Sequence, residues 1–150
     1  MKLLNRKLLI VCLCIVANAF AVTSFAQCKS FTKKRCLPSL APFIHNGQLT
    51  SAIFNAGETA DIEMTFNAGK EYRIIACSQE TLGKVKFKVL DKTRKILYSS
   101  EEGVANPTWD FKVENTQQLI IQISVPKEEQ KNKLAQFTQS GCISLLVGFK

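Results

Sequence analysis

Apolar and polar residues alternate along much of this chain from about residue 50 onward, and a period of two marks half-buried β-strands. In "TADIEMTF", Ala60, Ile62, Met64 and Phe66 share one face, while Asp61, Glu63 and Thr65 share the other. "GKVKFKVLD" sets Val85, Phe87 and Val89 against Lys84, Lys86 and Lys88. "TWDFKVEN" sets Trp109, Phe111 and Val113 against Asp110, Lys112 and Glu114, and "QQLIIQISVP" aligns Leu119, Ile121, Ile123 and Val125. Turn-forming residues separate these runs at 55–58 (NAGE), 67–70 (NAGK), 91–95 (DKTRK) and 103–107 (GVANP).

Two further runs, "EYRIIACS" and "GCISLLVGF", are apolar on both faces, which predicts strands in sheet centres rather than at edges. The polar stretch 126–141 is the longest expected loop. Downstream of residue 26, no segment of ten or more residues carries a helical stripe. Regular short strands divided by polar turns predict an all-β, antiparallel sandwich or barrel of about eight strands.

The first residues follow a different rule. Lys2, Arg6 and Lys7 precede an apolar run from Leu8 to Val22 broken only by Asn18, the layout of a secretory signal peptide. That run is shorter than the ~20 residues needed to span a bilayer, so export is expected rather than a transmembrane segment. Ser24 and Ala26 suit a cleavage site that leaves Gln27 first. A lipid anchor at Cys28 would instead need a small residue just before the cysteine, where Gln27 stands. The expected organisation is a signal peptide at 1–26, an irregular basic N-terminal segment at 27–46 in which Pro38 and Pro42 discourage regular structure, and a β-sandwich domain at 47–150.

Removing residues 1–26 leaves 124, enough for one core. Charge falls from +8 for the whole chain to +5, with 17 basic residues against 12 acidic ones. Lys29, Lys33, Lys34 and Arg35 supply four of those positive charges, so the body beyond them is nearly neutral. A nucleic-acid partner is not expected, because phosphate-binding surfaces need cations spread over a face. The cysteines left after cleavage are Cys28, Cys36, Cys77 and Cys142, an even number suited to disulfides in an oxidising compartment. Four cysteines allow three connectivities. The expected pairing is Cys28 with Cys36, closing a short basic loop, and Cys77 with Cys142, tying a middle strand to the last one, the longer loop contributing about 4 kcal/mol.

Candidate chemistry is sparse. Lys84, Lys86, Lys88, Lys92, Arg94 and Lys95 place six cations on one expected hairpin, with Asp91 the sole acid. Such a row could hold a glycan or an anionic envelope polymer, although strand lysines also keep exposed edges unpaired. Trp109 could stack on a sugar, yet its parity with Phe111 points it inward. His45 lacks a nucleophile motif to serve, and the acid pairs Glu101–Glu102 and Glu128–Glu129 fall in loops where adjacent carboxylates diverge. Neither C-x-x-C after the leader nor a calcium-loop spacing occurs, so no metal or other cofactor is expected.

The run from "NGQLTSAIFNAGETADIEMTFNAGKEYRIIAC" through "VKFKVLDKTRKILY" and "WDFKVENTQQLIIQISVP" to "GCISLLVGFK" resembles a group of small exported Bacteroidota proteins to which no mechanism is attached. The strand "AGKEYRI" followed by "FKVLDKTRKILY" is similar to the jelly-roll pre-peptidase C-terminal domain, a non-catalytic module of secreted proteins. That similarity implies a jelly-roll-like sandwich and carries over no functional residue. The expected function is a non-enzymatic interaction or accessory module in the periplasm or outside the cell, with an envelope protein or glycan as partner. The intact mass of the exported protein should correspond to a chain beginning at Gln27, without acyl groups, lighter than its reduced form by the hydrogens of two disulfides.

Overall fold

The computed structural model describes residues 23–100, 104–127 and 139–150. The leader before residue 23, the pairs Glu101–Glu102 and Glu128–Glu129, and most of the long 126–141 loop lie outside the described residues. Among the described residues there are nine strands: β1 (Ile44–His45), β2 (Thr50–Asn55), β3 (Thr59–Phe66), β4 (Glu71–Ser78), β5 (Lys86–Leu90), β6 (Ile96–Ser99), β7 (Thr108–Lys112), β8 (Gln117–Ser124) and β9 (Ser140–Phe149). They form two antiparallel sheets. In the five-stranded sheet both β1 and β2 pair with β9, followed by β4 and β7; the four-stranded sheet runs β3-β8-β5-β6. With the two-residue β1 set aside, the orders 2-9-4-7 and 3-8-5-6 are those of a jelly-roll sandwich. The structure is thus the all-β antiparallel sandwich that strand periodicity predicts.

Parity holds strand by strand. Phe66, Phe87, Val89, Leu119, Ile121 and Ile123 from one sheet meet Tyr72, Ile74, Ala76, Ile143, Leu145 and Val147 from the other in a single buried core. Each fully buried Val, Leu, Ile or Phe among them contributes roughly 1.5–3 kcal/mol relative to exposure. Ala60, Ile62 and Met64 face the same core but are only half-buried, because β3 is a sheet edge. The expected turns are built as their residues suggest. At 55–58 the backbone N–H and Nδ2 of Asn55 both donate to the Glu58 carboxylate, and Gly57 takes a φ of +84°. At the β5–β6 turn, Asp91 Oδ1 accepts from the Thr93 N–H, the Thr93 hydroxyl and the Lys95 N–H.

The doubly apolar runs are β4 and β9, neighbours in the middle of the five-stranded sheet. Their outer face is covered by the N-terminal segment, and this corrects the expectation of an irregular 27–46. Helix α1 (Thr23–Phe31) continues into a π-turn (Thr32–Cys36) and a 3₁₀ turn (Leu37–Leu40), with Pro38 near the start of the latter, where its missing N–H costs nothing. This helical cap makes a second core in which Cys36, Leu40 and Phe43 pack on Ile75, Cys77 and Leu146.

Two disulfides hold the cap, and they differ from the expected pairing. Cys28 joins Cys142 and Cys36 joins Cys77, with Cα–Cα separations of 5.3 and 6.0 Å. Cys28 and Cys36 sit eight residues apart on a helical segment, roughly 12 Å at 1.5 Å per residue and too far to bridge. Cys77 lies opposite Ser144, so Cys142 is its diagonal neighbour at roughly 7–8 Å. Each strand cysteine therefore reaches up to the cap.

Polar groups under the cap are also matched. Thr32 and Ser144 are both fully buried. Thr32 Oγ1 donates to the Cys28 carbonyl at 2.8 Å, which leaves the Ser144 hydroxyl to donate to Thr32 at 2.5 Å. Gly148 makes the seat for the cap: a Cβ there would stand 2.8 Å from Phe43 Cβ and 2.9 Å from Leu40 Cγ. Gly148→Ala should therefore overpack this contact and destabilise the protein by about 1–3 kcal/mol, read as a lower urea midpoint at unchanged slope.

Candidate functional site

The cap changes the meaning of the basic N-terminal residues. Lys29, Lys33, Lys34 and Arg35 are exposed on a helical segment tied to the sandwich at both disulfides, not on a free tail. No acidic residue occurs between positions 23 and 57, and none of these four cations has an ion-pair partner among the described residues. Holding such side chains on an ordered backbone concentrates positive potential on one surface.

Beside the cap lies an open groove of about 930 Å³. Phe31 and Arg35 form one wall, Cys77 and Ser78 part of the floor, and the β4–β5 connection the other wall. That connection is pinned in place. Gln79 exchanges two hydrogen bonds with the Cys142 backbone, its N–H donating to the carbonyl at 3.0 Å and its Oε1 accepting from the N–H at 2.7 Å. Leu82 and Val85 are buried in the main core on either side of Lys84. Gly83 between them has a φ of +67°, a conformation L side chains rarely take, and its carbonyl accepts from the Ser78 hydroxyl. Lys84 therefore projects from a fixed loop onto the groove that Arg35 lines from the cap.

The six hairpin cations do not form one patch. Lys84 belongs to the groove. Lys86 and Lys88 lie on the outer face of the four-stranded sheet, where Lys88 is opposite Gln122 and Gln122 is opposite Asp61. Arg94 is ion-paired to Asp61 at 2.8 Å, and Gln122 donates to the same carboxylate. These two contacts, Gln122 first, hold Asp61 below the usual carboxylate range. Lys92 lines a shallow depression with Asp91 and Thr93, and Lys95 is exposed at the same turn. Acids and amides are thus interleaved with the cations of that face.

Trp109 is half-buried and faces the core, as its parity predicts. Its ring lies between Tyr98 at 4.8 Å and Phe111 at 4.1 Å, both nearly parallel, and Phe111 stacks in turn on Tyr72. Both faces of the indole are covered, so this aromatic seam between the β6 and β7 edges offers no platform for a sugar. His45 lies in β1 opposite Gly148, its Nδ1 accepting from the Gly47 N–H, while Nε2 is shielded and has no hydrogen-bond partner among the described residues. Among the described residues no group of three His, Cys, Asp or Glu side chains is placed to hold a metal ion, and no helix is long and apolar enough to cross a membrane.

On the outer face of the five-stranded sheet, Arg73 anchors the end of the cap. It donates to both Asp110 oxygens, at 2.7 and 2.6 Å, and to the Ala41 carbonyl, and its guanidinium lies over the Phe43 ring. The Arg73 hydrogen bonds hold the Asp110 carboxyl low.

No protein-family model matches the chain, and neither does any curated protein. Similar solved structures include a periplasmic inhibitor of g-type lysozyme from Aeromonas hydrophila, 11% identical with a TM-score of 0.49, covering 73% of this chain and 89% of that one. The pre-peptidase C-terminal domain of a Bacillus anthracis collagenase is 10% identical with a TM-score of 0.46, covering 65% and 87% respectively. Likenesses this low carry no argument, and the architecture rests on the strand order itself.

A carboxylate whose pKa is depressed by folding adds stability at neutral pH that is lost as pH falls through its folded value. Asp110 and Asp61 should both contribute to acid destabilisation below about pH 4. Because Asp110 is half-exposed, Asp110→Asn should cost less than about 1 kcal/mol at neutral pH and make the acid loss shallower, measured by urea unfolding across pH.

Proposed function

We propose that the protein is an exported, non-enzymatic interaction module whose contact surface is the disulfide-anchored basic cap. Cleavage after Ala26 would leave Cys28 as the second residue, so the bond to Cys142 would tie the new N-terminus to the sandwich almost at its first residue. Two buried disulfides suit an oxidising compartment. The observation that carries the reading is the fixed ridge of Lys29, Lys33 and Lys34, exposed and without ion-pair partners among the described residues. A cationic helix end held on a disulfide-anchored scaffold loses less backbone freedom when it docks than a free tail does. The partner this surface fits is an anionic component of the cell envelope.

A contact through the whole Lys84–Lys95 hairpin has less support, since Arg94 is engaged with Asp61 and the outer face mixes charges. Lys84 is the exception, because it shares a groove with Arg35.

The test is co-sedimentation with isolated cell envelopes. Wild-type binding should weaken between about 50 and 300 mM salt as the screening length shortens. The triple variant Lys29→Glu, Lys33→Glu, Lys34→Glu should bind about tenfold more weakly at the lower salt, a change of roughly 1.4 kcal/mol. Binding that ignores both salt and the triple substitution would reject the cap as the contact surface.

A further inference from the structure

The groove between the cap and the β4–β5 connection has a composition distinct from the lysine ridge beside it. Arg35 and Lys84 bring two cations onto it from opposite walls, and Glu80 adds one acid. Around them stand groups with hydrogen-bonding capacity left over. The Oε1 of Gln79 is used by the Cys142 N–H, which leaves its amide nitrogen to donate. The Ser78 hydroxyl spends its hydrogen on the Gly83 carbonyl and keeps its oxygen as an acceptor. Asn106, at a φ of +52°, also lines the groove, and the half-buried Phe31 adds an apolar surface.

We propose that this groove binds a glycan bearing isolated carboxylates, with Arg35 and Lys84 receiving the carboxylate. This rests on the reading of the protein as a binding module and adds a ligand class to it. A sugar acid presents what the groove complements: one planar anion, several hydroxyls that both donate and accept, and an apolar ring face. Glu80 sets the charge density. A polymer with a negative charge at every unit would place one of them against this carboxylate, whereas a glycan with neutral sugars between its acids can donate a hydroxyl to it. The Ser78–Gly83 hydrogen bond and the Cys36–Cys77 disulfide fix the backbone beneath both cations, so binding has to order only their side chains.

The experiment is calorimetric titration of the full exported protein with a hyaluronan hexasaccharide, in which every second sugar carries a carboxylate, at about 50 mM salt. It should bind, and the double variant Arg35→Ala, Lys84→Ala should weaken that binding about tenfold or more. The control Lys92→Ala, Lys95→Ala, on the far turn, should leave it within about twofold, and Glu80→Gln should tighten it. A neutral chitin hexasaccharide should bind at least about tenfold more weakly than hyaluronan. Absence of hyaluronan binding overturns the proposal. So does an equal loss in the Lys92/Lys95 control, or tighter binding of polyphosphate or of an aspartate-rich hexapeptide. All variants alter exposed side chains, and an unchanged urea midpoint identifies them as folded. Should envelope binding still depend on Lys29, Lys33 and Lys34 while the titration fails, the groove is excluded and the module reading stands.

Discussion

A β-sandwich offers each sheet one covered face, yet β4 and β9 carry apolar side chains on both. Tyr72, Ile74, Ile143 and Leu145 go into the main core, whereas Ile75, Cys77 and Leu146 point the other way. Leaving that second set in water would forfeit about 25 cal/mol for every Å² of apolar surface and expose a contiguous sticky patch. Something has to lie over it. The chain uses its own N-terminal segment, and most of the distinctive features of the molecule follow from that need: two disulfides that run between cap and sheet, a buried hydroxyl pair, and a glycine against which the Leu40 and Phe43 side chains press.

Disulfides are well matched to the task. A cap of so few residues, in three short helical pieces, could not hold itself in place through propensity alone, because short helices are marginal in water. Closing loops of 114 and 41 residues removes conformational freedom from the unfolded chain worth roughly 4–5 kcal/mol each in the chain-entropy picture. Arg73 adds a third fastening from the sheet side by reaching Asp110, the Ala41 carbonyl and the Phe43 ring together.

Much of the sandwich is legible in the residue pattern because strands read in steps of two, and one-step errors would expose an entire face. Phe87 and Val89 inward, Lys86 and Lys88 outward, β4 and β9 central: each follows from local alternation alone. The cap is not legible in that way. Its buried positions, Cys28, Thr32, Cys36, Leu40 and Phe43, pass through an α-helix, a π-turn and a 3₁₀ turn, so they trace no single 3.6-residue stripe to its end. The signal was present elsewhere, in the second apolar face of β4 and β9, which demands a cover that no strand supplies. The same parity places Cys77 and Cys142 toward that cover, although as residues of two buried strands they read as partners for each other.

The candidate groove was hidden for a different reason. Arg35 looks like part of a tail charge run and Lys84 like the first lysine of a hairpin, and only the cap's position over the end of β4 brings them to one surface. Docking the cap thus converts two unrelated charge runs into two kinds of surface. Lys29, Lys33 and Lys34 become a fixed ridge facing outward, while Arg35 turns toward a polar groove containing an opposing carboxylate. A ridge of one sign draws anions from a distance but distinguishes them poorly, whereas a groove with donors, acceptors and a repelling acid can reject the wrong ones. In the proposed reading the same fold would separate attraction from selection, and both would depend on the disulfides that hold the cap in place.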